Sequence, residues 1–240
     1  MGLHKIAGLY VDLYYKGRRL FDQALPYKCD EDVNPDFTIC FPDEYIIEQQ
    51  KENPHLSLNE CEYIWTGSAF YTELVHYNGI LLHSSCVMYE GVCYLFSAPS
   101  GTGKSTHTQL WLKTFGEGAQ ILNDDKPAIR VEGDEVVAYG TPWSGKTDLA
   151  KNVRVPIKAI CFIERSAENW IHKESSANAI ALILNQTVRP NLQENMDQVI
   201  ETLDKIIRKV PVYKMGCNIS EEAARMAYDV MSKGKEDNNA

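Results

Sequence analysis

Residues 92–115 read VCYLFSAPSGTGKSTHTQLWLKTF, and this stretch decides the fold. VCYLFSA is an apolar, β-prone run. It enters a loop of small residues, Ser100, Gly101, Thr102 and Gly103, and a segment with Leu110, Leu112 and Phe115 among polar residues follows. A buried strand, a turn of small residues and a helix start are what a phosphate-binding loop needs. Successive backbone N–H groups can then face the anion, and the helix dipole favours it. The segment APSGTGKS, residues 98–105, fits G-x-x-x-x-G-K-[ST] except that Ala98 replaces the first Gly. The pattern predicts nucleotide contacts from Ala98, Pro99, Ser100, Gly101, Thr102, Gly103, Lys104, Ser105 and Thr106. Lys104 would pair the β- and γ-phosphates, and Ser105 would coordinate Mg²⁺.

GTPWSGKT, residues 140–147, matches the same pattern without a mismatch. It reads as a coincidence. Pro142 has no N–H to offer, Trp143 crowds the place of a phosphate, and Pro156 follows too soon for a full helix. Its expected use is different: Gly140 and Gly145 let the chain approach the site, and Lys146 neutralises phosphoryl charge or binds an anionic substrate. A solvated surface lysine is the plainer reading of Lys146. Arg189 invites the same pair of readings.

Asn123-Asp124-Asp125 ends the short run AQILN, about twenty residues after Lys104. An Asp at a strand end near a phosphate loop is the expected metal-site carboxylate. Two adjacent acids allow two roles, one in the Mg²⁺ shell and one taking a proton from an attacking hydroxyl. His83, in ILLHSSCV, reads either as a core histidine or as a partner of the acids or of a phosphate.

The chain as a whole sets limits. Its 240 residues suit one large domain with an appendage, and a net charge of −9 argues against nucleic acid as the main partner. The seven cysteines are odd in number and lack a C-x-x-C pair, so they read as thiols of a reducing cytoplasm. No membrane span or signal peptide is predicted. Association with further copies of the chain is left open. Residues 1–78 carry no catalytic motif and are read as an accessory or substrate-side α+β subdomain, 79–232 as the core and 233–240 as a polar tail. Expected elements are strands at 6–15 and 37–41, helices near 42–53 and 61–77, and a hairpin of ILLHSSCVMY and VCYLFSA about Glu90-Gly91. A second hairpin is expected about Gly133, then a buried strand IKAICFIE, helices 176–185 and 191–209, strand VYKM and a last helix capped by Ser220. Strands and helices alternating with hairpins predict an α/β fold on a mixed sheet.

LLHSSCV, YLFSAPSGTGKST and LNDDKPAI together resemble the HPr kinase/phosphorylase family, within the phosphoenolpyruvate carboxykinase-type nucleotide fold. The resemblance covers about residues 79–165. It implies ATP on Ala98–Ser105, Asp124 as base for a hydroxyl, Asp125 near the metal and His83 near the acid. It also implies a γ-phosphoryl kinase using ATP and Mg²⁺ on a hydroxyl of a protein, peptide or small molecule. The family's Arg- and Gly-rich stretch after the acids has no counterpart, and GTPWSGK stands there instead. A carboxykinase-like reaction and a nucleotide-binding regulator with little transferase activity are the competing readings.

Overall fold

A computed structural model of the protein describes residues 2–190 and 193–233. The helix start read at Asn191 and the tail from 234 onward lie outside the described residues.

The chain opens with β1 (Gly2–Ile6) and β2 (Leu9–Leu13), an antiparallel hairpin with Ile6 opposite Leu9. The sequence reading of 6–15 as one strand is therefore corrected. Ala7 and Gly8 form a two-residue turn, with φ of 52° and 78°. Both take the left-handed conformation that a tight hairpin turn demands, and alanine gives no signal of it. A helix that the sequence reading did not anticipate follows, α1 (Arg18–Ala24), and then β3 (Phe37–Ile39), which pairs parallel to β2. α2 (Asp43–Glu52) places Asp43 and Glu44 in its first turn, where the helix dipole favours them. α3 (Leu58–Leu74) starts at a capping box of Ser57 and Glu60 and ends near Asn78, whose φ is 54°.

From residue 79 the order is β4 (Gly79–Leu81), β5 (Ser84–Tyr89), β6 (Val92–Ser97), α4 (Lys104–Phe115), β7 (Gln120–Asn123), β8 (Ala128–Glu132) and β9 (Glu135–Tyr139). Then come β10 (Arg154–Arg165), β11 (Trp170–Lys173), α5 (Ser176–Leu184), α6 (Gln193–Lys209), β12 (Val212–Cys217) and α7 (Glu221–Met231). ILLHSSCVMY is two strands, not one. It breaks at Leu82-His83, so β4 pairs with β8 while β5 pairs with β6 and β7. Ser220 accepts from Ala223 N at 3.2 Å, capping α7 as its sequence suggests.

The long strand β10 joins the sheet together. Its Arg154–Pro156 end pairs antiparallel with β9, and further along it pairs parallel with β6 and with β12. The result is a curled mixed sheet, β4-β8-β9-β10-β6-β5-β7, with β12 and β11 alongside β10. Two antiparallel steps, β6 to β5 and β5 to β7, leave β7 running parallel to β6. The C-terminal ends of β6, β7, β10 and β12 therefore share one edge, where α/β sheets bind ligands.

Trp111 of α4 and Ala223, Ala224, Ala227 and Met231 of α7 cover one face. Ala179 and Ile183 of α5 and Val199, Leu203 and Ile206 of α6 cover the other. The N-terminal layer is not packed apart: Val11, Leu13, Phe70 and Leu74 share one apolar cluster with Ala128, Val137, Tyr139 and Trp143. No helix among the described residues is long and apolar enough to cross a membrane.

α4 carries a buried histidine on this packed face. His107 is 2% exposed, and its Nε2 accepts from Trp111 Nε1 at 3.3 Å. Burial pushes its pKa from 6.5 down to about 4. Its folded pKa is the lower, so the unfolded chain binds the extra proton first as pH falls. The stability linked to His107 is full above pH 6.5 and is lost between pH 6.5 and 4. The loss reaches about 3 kcal/mol at 1.36 kcal/mol per unit. Urea titrations across this range should show a flatter pH dependence for His107→Leu than for the wild type. Identical slopes would remove His107 as the cause.

Candidate functional site

β6 delivers the chain to the loop at the edge shared by the C-terminal strand ends. Gly101 and Gly103 have φ of 77° and 124°, which L side chains rarely adopt. A Cβ built on either would meet nothing within 4 Å. Their need for glycine is thus backbone conformation rather than crowding within the protein. Lys104 opens α4, is 8% exposed, and donates from Nζ to Ala98 O at 3.0 Å. Burial lowers its pKa, and the charges of Asp125 and Asp124 work against that fall. The ammonium so closes on its own loop, with one hydrogen bond to a carbonyl and proton capacity left over. Arg165, at the end of β10, donates from Nη2 to Gly101 O at 2.6 Å and from Nε to Thr102 O at 3.1 Å. These bonds hold the loop carbonyls toward the guanidinium. A cleft of about 570 Å³ borders Ala98–Thr102, and another of about 490 Å³ borders Gly103, Thr106 and Leu110.

β7 brings the acids to the same edge. Asn123 Oδ1 accepts from Asp125 N at 3.1 Å and Lys126 N at 2.8 Å, an Asx turn that bends the chain after the strand. The two carboxylates then have different surroundings. Asp124 is 5% exposed, and its Oδ1 accepts from Ser85 Oγ at 2.5 Å while Oδ2 accepts from Thr147 Oγ1 at 2.8 Å. Ser85, its proton given to Asp124, accepts in turn from Thr108 Oγ1 at 2.7 Å. Asp124 is so linked to α4, the loop's own helix. The Asp125 side chain is 24% exposed, and its Oδ1 lies 3.1 Å from His83 Nε2. Burial raises the pKa of Asp125, but the His83 hydrogen bond and the nearby Lys126 and Lys104 charges outweigh it and leave the value lowered. His83 Nδ1 meets Gln186 Oε1 at 3.2 Å.

The second G-x-x-x-x-G-K-T segment is a brace for these acids. A Cβ on Gly140 would strike the carbonyl of Lys151, and one on Gly145 would come 2.7 Å from Asp125 Cβ. Trp143 is fully buried, stacks on Phe70 with centroids 4.9 Å apart, and fills the notch left by Gly67 of α3. No helix follows Thr147. Instead Asp124 N donates to Leu149 O at 3.1 Å and Lys151 N to Leu122 O at 2.9 Å, so the segment runs back beside β7.

Of the residues singled out from sequence, the 98–106 loop, Lys104, Asp124, Asp125 and His83 come together at one edge. Lys146 is exposed beside the acids and makes no hydrogen bond or ion pair among the described residues. Arg189 is likewise exposed and makes neither among the described residues. Sequence reading missed Ser85, Thr108 and Thr147, which hold Asp124, and Arg165, which latches the loop. A signal existed for Ser85, since a hydroxyl in the apolar run ILLHSSCV needs a partner. None existed for Arg165.

No family model matches the chain, and no curated protein matches it. Among solved structures it is similar to the structure of the Hpr(Ser) kinase/phosphatase from Coxiella burnetii, at 12% identity and a TM-score of 0.36. That match covers 64% of this chain and 95% of the other. So slight a likeness carries no weight for the chemistry, which rests on the side chains described above.

If loop 98–105 is the phosphate site, Lys104→Ala removes a charge-assisted contact, and ATP affinity falls by about 10- to 100-fold. Lys146→Ala leaves most of the affinity intact. Titration calorimetry of both variants decides between the loops. A larger loss at Lys146 would make GTPWSGKT the phosphate site.

Proposed function

We propose that this chain is an ATP- and Mg²⁺-dependent kinase that transfers the γ-phosphoryl group to a hydroxyl. The observation that carries the reading is the hydrogen-bonded chain Thr108–Ser85–Asp124, which ties a strand-end acid to the helix that follows the loop. The loop amides and Lys104 would take the phosphates, supplying the fixed positive field on which phosphoryl transfer depends. Mg²⁺ is held mainly by substrate phosphates plus one or two protein oxygens. Ser105 and Asp124 would supply that number. When bound, the ion neutralises charge on the phosphate oxygens.

The family resemblance implies Asp124 as base and Asp125 at the metal. The surroundings favour the exchange. Asp124 is buried, with hydroxyls on both oxygens, and is linked through Ser85 and Thr108 to α4. Asp125 keeps part of its surface open and has His83 against it. We therefore assign the acceptor's proton to Asp125, with His83 as its partner, and the metal side to Asp124.

The test starts from a mass-spectrometric screen of peptides and metabolites for an acceptor. Single-turnover transfer at saturating Mg²⁺–ATP follows. Asp125→Asn keeps ATP affinity and slows transfer by about 100- to 10,000-fold. Asp124→Asn loses the gain in ATP affinity that Mg²⁺ brings. The reverse pattern restores the roles implied by the resemblance. If no acceptor gains phosphate, the kinase reading fails and a nucleotide-binding regulator takes its place.

A further inference from the structure

We propose that the acceptor side of the site binds an anionic group, a carboxylate or a phosphate, between Arg19, Lys126 and Lys146. The word acceptor rests on the kinase reading above; the anion site itself does not.

A continuous path of contacts leads outward from the acids. Lys126 Nζ lies 3.6 Å from Asp125 Oδ2 and 5.8 Å from the centroid of the Tyr63 ring. The Arg19 guanidinium lies over the same ring at 4.0 Å. Tyr63 OH accepts from Gly145 N at 3.1 Å, and Arg19 Nη2 donates to Gly145 O at 2.6 Å. Both therefore fix the residue from which Lys146 departs. The three cations come from three segments: α1, the turn after β7, and the brace.

Their partners leave capacity over. Arg19 gives one hydrogen bond to a carbonyl and has its nearest carboxylate, Asp148, at 3.9 Å. Lys126 has an ion pair at 3.6 Å and no ammonium hydrogen bond among the described residues. Lys146 has neither. Other basic side chains of this acidic chain that do pair can come much closer, Lys16 with Asp43 at 2.6 Å, Arg154 with Glu135 at 2.6 Å and Arg208 with Asp204 at 2.7 Å. A mere staple of α1 to the brace would explain the Gly145 bond of Arg19. It would not explain Lys126 beside the same ring, or Lys146 leaving the same segment without a partner among the described residues. An arriving carboxylate or phosphate would meet a forked guanidinium already placed over an aromatic ring. Arg19 and Lys126 are each 31% exposed along the side chain, so a solute can reach them without unfolding. The acceptor class is then a hydroxyl carried close to a carboxylate or a phosphate.

The test omits transfer altogether. Protein saturated with Mg²⁺ and a non-hydrolysable ATP analogue, which fills the phosphate loop, is titrated calorimetrically with inorganic phosphate and, separately, with acetate. One further anion site is expected. Lys126→Gln and Arg19→Gln should each weaken it by about 10- to 100-fold, as loss of a charge-assisted contact does. Arg19→Lys should restore part of the loss, and melting temperatures check that each variant is folded. Tighter acetate marks a carboxylate-bearing acceptor, and tighter phosphate a phosphorylated one. The proposal is overturned if neither anion binds the loaded wild type, or if folded Lys126→Gln and Arg19→Gln bind as the wild type does. Anion binding without any phosphoryl transfer would sink the kinase reading alone.

Discussion

Asn123 sets the geometry on which the site depends. It is fully buried at the end of β7, and its amide satisfies three groups at once. Oδ1 takes the N–H groups of Asp125 and Lys126, and Nδ2 donates to Thr141 O at 3.0 Å. The first pair makes the turn that sends Asp124 inward and leaves Asp125 at the surface. The third bond ties that turn to the brace. Two neighbouring carboxylates repel, and each needs its own compensation. Hydroxyls of Ser85 and Thr147 serve Asp124, while His83 and Lys126 serve Asp125. Without the Asn123 turn these two sets of partners would compete for the same space.

The two segments of one sequence pattern show how context decides what a loop does. Around Gly101 and Gly103 the glycines supply left-handed backbone with open space beside it, as a nest for an anion needs. Around Gly140 and Gly145 the space is filled, by the carbonyl of Lys151 and by Asp125. The first loop can receive a ligand. The second is spent on packing, with Trp143 among Phe70, Tyr71 and Gly67. Burial of an aromatic side chain of 150–250 Å² is worth about 4–6 kcal/mol before entropy. That seating connects the N-terminal layer to the acids, and it is why Arg19 and Tyr63 stand beside Asp125.

Local chemistry was legible in the sequence and long-range pairing was not. Strand, loop and helix at 92–115 are contiguous, so their order alone announced the strand, the glycine turn and the helix start. The Asn123-Asp124-Asp125 turn and the Ser220 cap were readable for the same reason. The Ala7-Gly8 turn was hidden because alanine seldom takes a positive φ. The break at Leu82-His83 was hidden because both halves of ILLHSSCVMY are buried and apolar. α1 carries no side-chain cap on Gly17 to announce it. Arg165, Thr147 and Arg19 act across 63, 23 and 126 residues of chain. Nothing in their own neighbourhoods marks those destinations. Which acid is buried and which stays half-open also depends on distant hydroxyls, and the bare dipeptide leaves it open.

The central claim is that phosphate binds on the loop before α4 while the second segment stays a structural brace. Amide hydrogen exchange with and without Mg²⁺ and a non-hydrolysable ATP analogue tests it most directly. Amides of Gly101 to Ser105 should gain strong protection, because they become donors to phosphate. Amides of Gly140 to Thr147 should change little, since their packing is complete without a ligand. Protection confined to 140–147, with 101–105 unaffected, would contradict the claim.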